Sequence, residues 1–259
     1  MNVYWLEQTE GNVPADNDWL SAREAVCLNA MRVAKRRADW RLGRWTAKRA
    51  LSVILDMPAY PLLRKIEIRA AASGAPEAFF DNRPAAVTIS LSHRAGIAAC
   101  AVAISHVEMG CDLEMIEPRS DAFVADYFTL EEQELVARAS AAERDRLTAL
   151  LWSGKESALK ALREGLRLDT RSVIVIPSVN SFDLNGWSEL RVRYTHGRDA
   201  GGRYSGDRYF GDRSCGDQVF HGWWQHVDSI VRTVVGAPPP DSPVRLQIPD
   251  YVRYAASRA

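Results

Sequence analysis

Helical periodicity runs through residues 18–56 and again through residues 140–166, and short apolar segments of strand character follow each stretch. A chain that presents helices and then strands, twice over, is expected to fold as an α+β protein of two similar α/β halves. Each half would pack its helices on a small, mostly antiparallel sheet, and the two would form a pseudo-dimer. In the first stretch Trp40, Gly43, Ala47, Ala50, Leu51 and Ile54 recur at helical spacing. Asp39 is the candidate cap between two helices, and Asp56-Met57-Pro58 closes the second. Strands are expected at residues 87–92, 97–104 and 107–114, with His93-Arg94-Ala95-Gly96 as the turn between the first two. Further strands are expected at 173–176, 190–194, 220–224 and 229–235. The halves divide at 1–105 and 106–259. Residues 197–217, rich in Gly, Arg, Asp, Tyr and Ser and without apolar periodicity, read as a surface insertion between two strands.

Charge narrows the partners. The 33 basic and 33 acidic side chains cancel, which argues against a generally cationic nucleic-acid binder. Cys27, Cys100, Cys111 and Cys215 are scattered, so a reduced, cytoplasmic setting is expected rather than a disulfide framework or a zinc site. The opening MNVYWLEQTE carries neither the basic nor the apolar region of a signal peptide, and the apolar run at 96–104 is too short to span a bilayer.

Asp112 and Glu114 stand two apart in Gly110-Cys111-Asp112-Leu113-Glu114. On a strand, residues i and i+2 share a face, so the two carboxylates are expected side by side, with Cys111 and Leu113 turned to the core. Like charges this close raise one another's pKa unless a cation lies between them, and an oxygen-only set of this kind suits Mg²⁺. The alternative is a solvated strand face. Glu156 is a third carboxylate, in Trp152-Ser153-Gly154-Lys155-Glu156-Ser157-Ala158-Leu159-Lys160. Leu151, Ala158, Leu159 and Leu162 form the buried stripe of that helix, and Glu156 and Lys160 lie one turn apart on the other side. Gly154 is discordant there, since glycine costs about 1 kcal/mol relative to alanine inside a helix; it would serve a close approach to the backbone.

Taken together, the Gly-x-Asp-x-Glu strand and the Trp-x-x-Lys-Glu-x-x-x-Lys helix, with Glu156 44 positions after Asp112, resemble the two-part signature of the 4′-phosphopantetheinyl transferase superfamily. The resemblance extends to a basic helix. Eight basic residues fall between Arg32 and Arg49 against the single acid Asp39, including an Arg-x-x-Trp-x-x-Lys-x-x-Leu pattern from Arg41 to Leu51, and Ser92-His93 follows at a strand end. These are similar to elements of the larger, monomeric, Sfp-type branch of the family. Where many members have a Gly-Lys-Pro turn this chain has Gly74-Ala75-Pro76, so one phosphate-binding lysine is absent.

The resemblance implies transfer of the phosphopantetheine arm of coenzyme A to a serine of an acyl or peptidyl carrier protein, in secondary-metabolite biosynthesis among other settings. It implies Mg²⁺ on Asp112, Glu114 and Glu156, with Glu156 also the candidate base and Lys160 and Lys155 stabilising charge on the moving phosphate. Lys35, Arg36, Arg41, Arg44, Lys48, Ser92 and His93 would bind the phosphates of coenzyme A, for which arginine and lysine are suited. A monomer without nucleic-acid or membrane partners is expected. Two other classes compete: a coenzyme A or carrier-protein binder without catalysis, and a metal-dependent nuclease or nucleotide hydrolase, which the neutral charge disfavours.

Overall fold

The computed structural model describes residues 1–57, 60–182, 186–195 and 217–248. The chain divides into two compact units, one of Asn2–His106 joined by Pro243 onward, the other of Val107–Ser242 joined by Met1. Both are mixed α+β, with helices packed on small sheets, as the order of helical and strand periodicities implies.

In the amino-terminal unit, strand β1 (Val3–Thr9) leads to helices α1 (Ala22–Ala30) and α2 (Ala34–Ile54), then to strands β2 (Ile66–Ala70), β3 (Pro76–Phe80), β4 (Arg83–Pro84), β5 (Thr88–Arg94) and β6 (Ile97–Ala103). Strand β6 runs antiparallel between β1 and β5, and a short strand at Val244–Arg245 adds to β1 in parallel. Strands β2, β3 and β4 make a separate small sheet. The β5–β6 hairpin turns on Ala95 and Gly96 at φ 50° and 74°, a left-handed pair that suits the twist of a two-residue turn.

Helix α2 buries its second half, from Leu42 to Ser52, against a core that includes Trp19, Leu28, Ile66 and Cys100. The break between the helices is not at Asp39. It falls at residues 31–33, where Arg37 donates Nη1 to the carbonyls of Leu28 and Met31 and so caps the end of α1. Asp39 lies inside α2 and pairs with Lys35 at 2.8 Å.

In the carboxy-terminal unit, strand β7 (Glu108–Met115) precedes helices α3 (Asp121–Tyr127), α4 (Leu130–Arg138) and α5 (Ala141–Ala161). Strands β8 (Val173–Phe182), β9 (Ser188–Tyr194), β10 (Gln218–Val227) and β11 (Ile230–Ala237) follow, and the sheet runs β7-β11-β10-β9-β8, antiparallel throughout. Helix α5 packs on this sheet through Leu151, Ala158 and Leu159, buried among Val173, Val192, Phe220 and Val231. It stops five residues short of the expected end, because Arg163 and Gly165 take φ 58° and 55° and turn the chain out of the helix. Strands β8 and β10 run longer than the expected 173–176 and 220–224. The expected insertion at 197–217 lies outside the described residues apart from Asp217, as do Cys215 and the tail beyond 248.

The two units repeat one internal device. In α2, Lys48 is wholly buried and pairs with Glu24, while donating to the carbonyls of Trp19 and Leu63 at 3.0 and 3.1 Å. In α5, Lys155 is wholly buried and pairs with Glu132 at 2.8 Å, while donating to the carbonyls of Thr170 and Val173. Each glutamate closes the capping box of the preceding helix, with Ser21 for Glu24 and Thr129 for Glu132. Each also accepts a strand amide: Glu24 that of Ile68, 44 positions on, and Glu132 that of Val175, 43 positions on. Trp45 and Lys48 correspond to Trp152 and Lys155 at a common offset of 107 residues. The device recurs in both units, and the position that Glu156 takes in one is held by Arg49 in the other.

Among the described residues Cys27, Cys100 and Cys111 are free thiols, and no helix is long and apolar enough to cross a membrane.

Candidate active site

Gly110, Asp112 and Glu114 alternate along β7 onto the face that α5 covers, while Cys111 and Leu113 are buried on the other. Strand and helix approach so closely that a Cβ built on Gly110 would lie 1.9 Å from the carbonyl oxygen of Ser157 and 2.7 Å from the amide nitrogen of Ala161. Beside it, Thr233 of β11, the registered neighbour of Asp112, binds Ser153 and Ser157 through its hydroxyl at 2.8 and 2.7 Å. All three hydroxyl side chains are buried. These contacts fix the height and rotation of α5 over β7, and so decide which α5 side chains meet the acids.

Lys160 is one of them. Its ammonium donates to Oδ1 of Asp112 at 2.8 Å and to the carbonyl of Cys111 at 3.0 Å. Burial would lower its pKa, but Asp112, Cys111 and Glu156 beside it hold it above its ordinary value. Glu156 lies one turn back. Its carboxyl is pushed above the usual range by burial first and then by Asp112 and Glu114, with Lys160 opposing. Those influences put Glu156 in the same electrostatic neighbourhood as both acids of β7. Glu114 is held at both oxygens: Trp152 donates its indole Nε1 to Oε1 at 3.1 Å, and Arg119 donates to Oε2 at 3.2 Å. The indole of Trp152 in turn packs edge-on against Phe123 and Tyr127 of α3.

Lys155 does not join this cluster, which corrects its assignment to charge stabilisation. On a helix, adjacent residues point about 100° apart, and Lys155 faces the core while Glu156 turns toward the acids of β7. Its ammonium is committed to Glu132 and to two carbonyls. Burial lowers its pKa although Glu132 works the other way. Lys155→Met is expected to lower the unfolding free energy by about 3 kcal/mol, since it strands Glu132 without its partner. Adding Glu132→Gln should recover part of that. A loss below about 1 kcal/mol in urea titration would return Lys155 to the list of candidates.

Gly154 is also explained by packing. A Cβ there would come within 2.8 Å of Cγ1 of Val175, so the close approach is that of β8.

The residues expected to bind coenzyme A all lie in the amino-terminal unit. Lys35 pairs with Asp39, and Arg36 and His93 are exposed. Arg41 donates to the carbonyls of Pro14, Ala15 and Asp16, and Arg44 stacks over Trp40 at 4.8 Å. Ser92 is buried at 8% exposure near the end of β5. Lys48 is corrected in the same way as Lys155: its ammonium is internal, paired with Glu24, and does not reach a ligand in solvent. Arg119 and Glu132 were not singled out from the sequence. Thr129-x-x-Glu132 is a capping-box pattern and could have marked the second; nothing local marks the first.

Among the described residues no group of three or more His, Cys, Asp or Glu side chains is arranged to hold a metal ion. Asp112, Glu114 and Glu156 are oxygen-only donors of the kind that suits Mg²⁺, and a divalent ion would relieve the repulsion that Glu156 feels from the other two. As the side chains stand, Lys160 and Arg119 supply the positive charge.

Clustered carboxylates beside a cation at a helix–strand junction are compatible with phosphoryl-group transfer. Residues 108–206 match the family model described as the 4′-phosphopantetheinyl transferase superfamily, which supports a transferase that moves phosphopantetheine. No curated protein matches the chain.

Proposed function

We propose that this chain transfers the 4′-phosphopantetheine group from coenzyme A to a serine of an apo acyl or peptidyl carrier protein, releasing 3′,5′-adenosine bisphosphate. The observation that carries the reading is the meeting of Asp112 and Glu114 with Lys160 and Glu156, residues from two elements some 44 positions apart in the chain. The recurrence of the buried lysine–glutamate device in both units supports the Sfp-type branch.

In this reaction the serine Oγ forms a bond to the pantetheine-side phosphorus as the bridging P–O bond breaks, and the electron pair leaves with the adenosine bisphosphate. The enzyme's part is positioning and charge neutralisation. Glu156 is assigned the serine proton. Lys160, held charged by Asp112, is the group proposed to balance negative charge on the transferring phosphate. Mg²⁺, on a donor set of Asp112, Glu114 and Glu156, would neutralise the pyrophosphate. Arg36, Arg44 and His93 of the amino-terminal unit are the groups proposed for the phosphates of coenzyme A.

The test is the mass of the product. Incubated with coenzyme A, Mg²⁺ and apo carriers of fatty-acid, polyketide and nonribosomal-peptide type, the protein is expected to add one phosphopantetheine to at least one of them. EDTA should stop the reaction and excess Mg²⁺ restore it. A carrier set that gains no mass, while coenzyme A binds, would favour a binding module instead.

A further inference from the structure

We propose that Arg119 is an internal counter-ion that competes with the divalent cation for Glu114, so that the ion binds only as the guanidinium leaves. The inference rests on the transferase reading above and concerns the same site.

Arg119 lies in the connection between β7 and α3, where no regular structure holds it. Its Nη2 is 3.2 Å from Oε2 of Glu114 and 3.1 Å from Oε1 of Glu117, and its guanidinium carbon sits 5.1 Å from the centre of the Phe123 ring. The side chains of Arg119 and Glu114 are only 24% and 12% exposed. Removed from water to this degree, a charge-assisted pair is stronger than one on an open surface. With Trp152 on Oε1 and Arg119 on Oε2, both oxygens of Glu114 are already engaged. A divalent cation that takes Glu114 adds positive charge beside a guanidinium nitrogen 3.2 Å from Oε2, and the like-charge repulsion favours departure of the cationic neighbour.

Two features mark Arg119 as the group that yields. The indole of Trp152 is fixed on α5 and wedged against Phe123 and Tyr127, whereas Arg119 stands on a connecting segment. Arg119 also has somewhere to go. Glu117, with 42% of its side chain exposed, already shares its Nη2, and the Phe123 face already receives its guanidinium. Release from Glu114 thus leaves the cation partnered rather than stranded. The positive charge is exchanged at Glu114 and not simply added, which keeps the acidic cluster neutralised before the ion arrives.

The test is titration calorimetry of Mg²⁺ into the full chain without coenzyme A, with thermal melts as the control for folding. Arg119→Ala is expected to bind Mg²⁺ roughly two- to tenfold more tightly than the parent, and Arg119→Lys to fall between them. Glu117→Gln removes the alternative partner, so it should weaken Mg²⁺ binding, the opposite sign from Arg119→Ala. Hydrogen exchange of the 116–127 backbone should rise on adding Mg²⁺ to the parent and be raised already in Arg119→Ala. Equal or weaker Mg²⁺ binding by a well-folded Arg119→Ala would overturn the inference, as would tighter binding by Glu117→Gln. Should Arg119→Ala melt early, the affinity of Arg119→Lys and the hydrogen exchange of the parent on adding Mg²⁺ decide together. A parent chain that loads no carrier, while Arg119→Ala still tightens Mg²⁺, would sink the transferase reading and leave this inference standing.

Discussion

Glu156→Gln is expected to reduce carrier loading by at least about a hundredfold, the usual worth of a positioned general base, with coenzyme A affinity unchanged. The substitution keeps the shape of the side chain and its place one turn from Lys160, so the packing of α5 on the sheet is untouched. What it removes is a charge and a proton acceptor at the one α5 position that feels both acids of β7. Calorimetry with Mg²⁺ on the same variant separates the two roles of Glu156. Retained ion affinity with lost turnover identifies the base, and loss of both identifies a ligand. Near-parental turnover would remove Glu156 from the mechanism altogether.

Gly110→Ala is expected to cost more than about 4 kcal/mol, a range reached only when a substitution has no room to relax. The added methyl would meet backbone on both counts, the carbonyl of Ser157 and the amide of Ala161, and neither is a side chain that can turn aside. Losses of that size unfold a domain of ordinary stability. Gly43→Ala is the matched control. It also lies in a buried stretch, of α2, but a Cβ there meets nothing within 4 Å, and the change should be neutral or stabilising by up to about 1 kcal/mol. Urea unfolding of the two variants gives the comparison directly. If Gly110→Ala folds with a loss below about 1 kcal/mol, the β7–α5 approach is looser than described and the placement of Lys160 against Asp112 loses its support.

Much of this arrangement was written in local pattern. The β5–β6 hairpin follows from alternating residues that end on Ala95-Gly96. The facing of Asp112 and Glu114 follows from a period of two, and the placing of Glu156 and Lys160 off the core follows from the apolar stripe of α5. What escaped were contacts that depend on distant partners. A lysine on a helix looks the same in sequence whether it points to water or to the core, so Lys48 and Lys155 read as phosphate-binding groups until Glu24 and Glu132 are seen beside them. The boundary between α1 and α2 is set by Arg37 reaching back to carbonyls six and nine residues earlier, whereas Asp39 offered a local cap that the fold does not use. Val3–Thr9 stays unassigned from sequence although Gly11, Asn12 and Pro14 follow it, because only its first four residues are apolar and Glu7-Gln8-Thr9 break the alternation. The Arg119–Glu114 pair was invisible because an arginine in a connecting segment carries no periodicity.

The bond from the Val175 amide to Glu132 also bears on how the protein behaves among its own copies. Strand β8 is the last of its sheet, and its outward amides would otherwise be a template on which another chain could pair and aggregate. The carboxylate that closes a capping box and neutralises a buried lysine thus also blunts that margin at its apolar centre. Loss of Glu132 should therefore show itself in concentration-dependent self-association as well as in reduced stability.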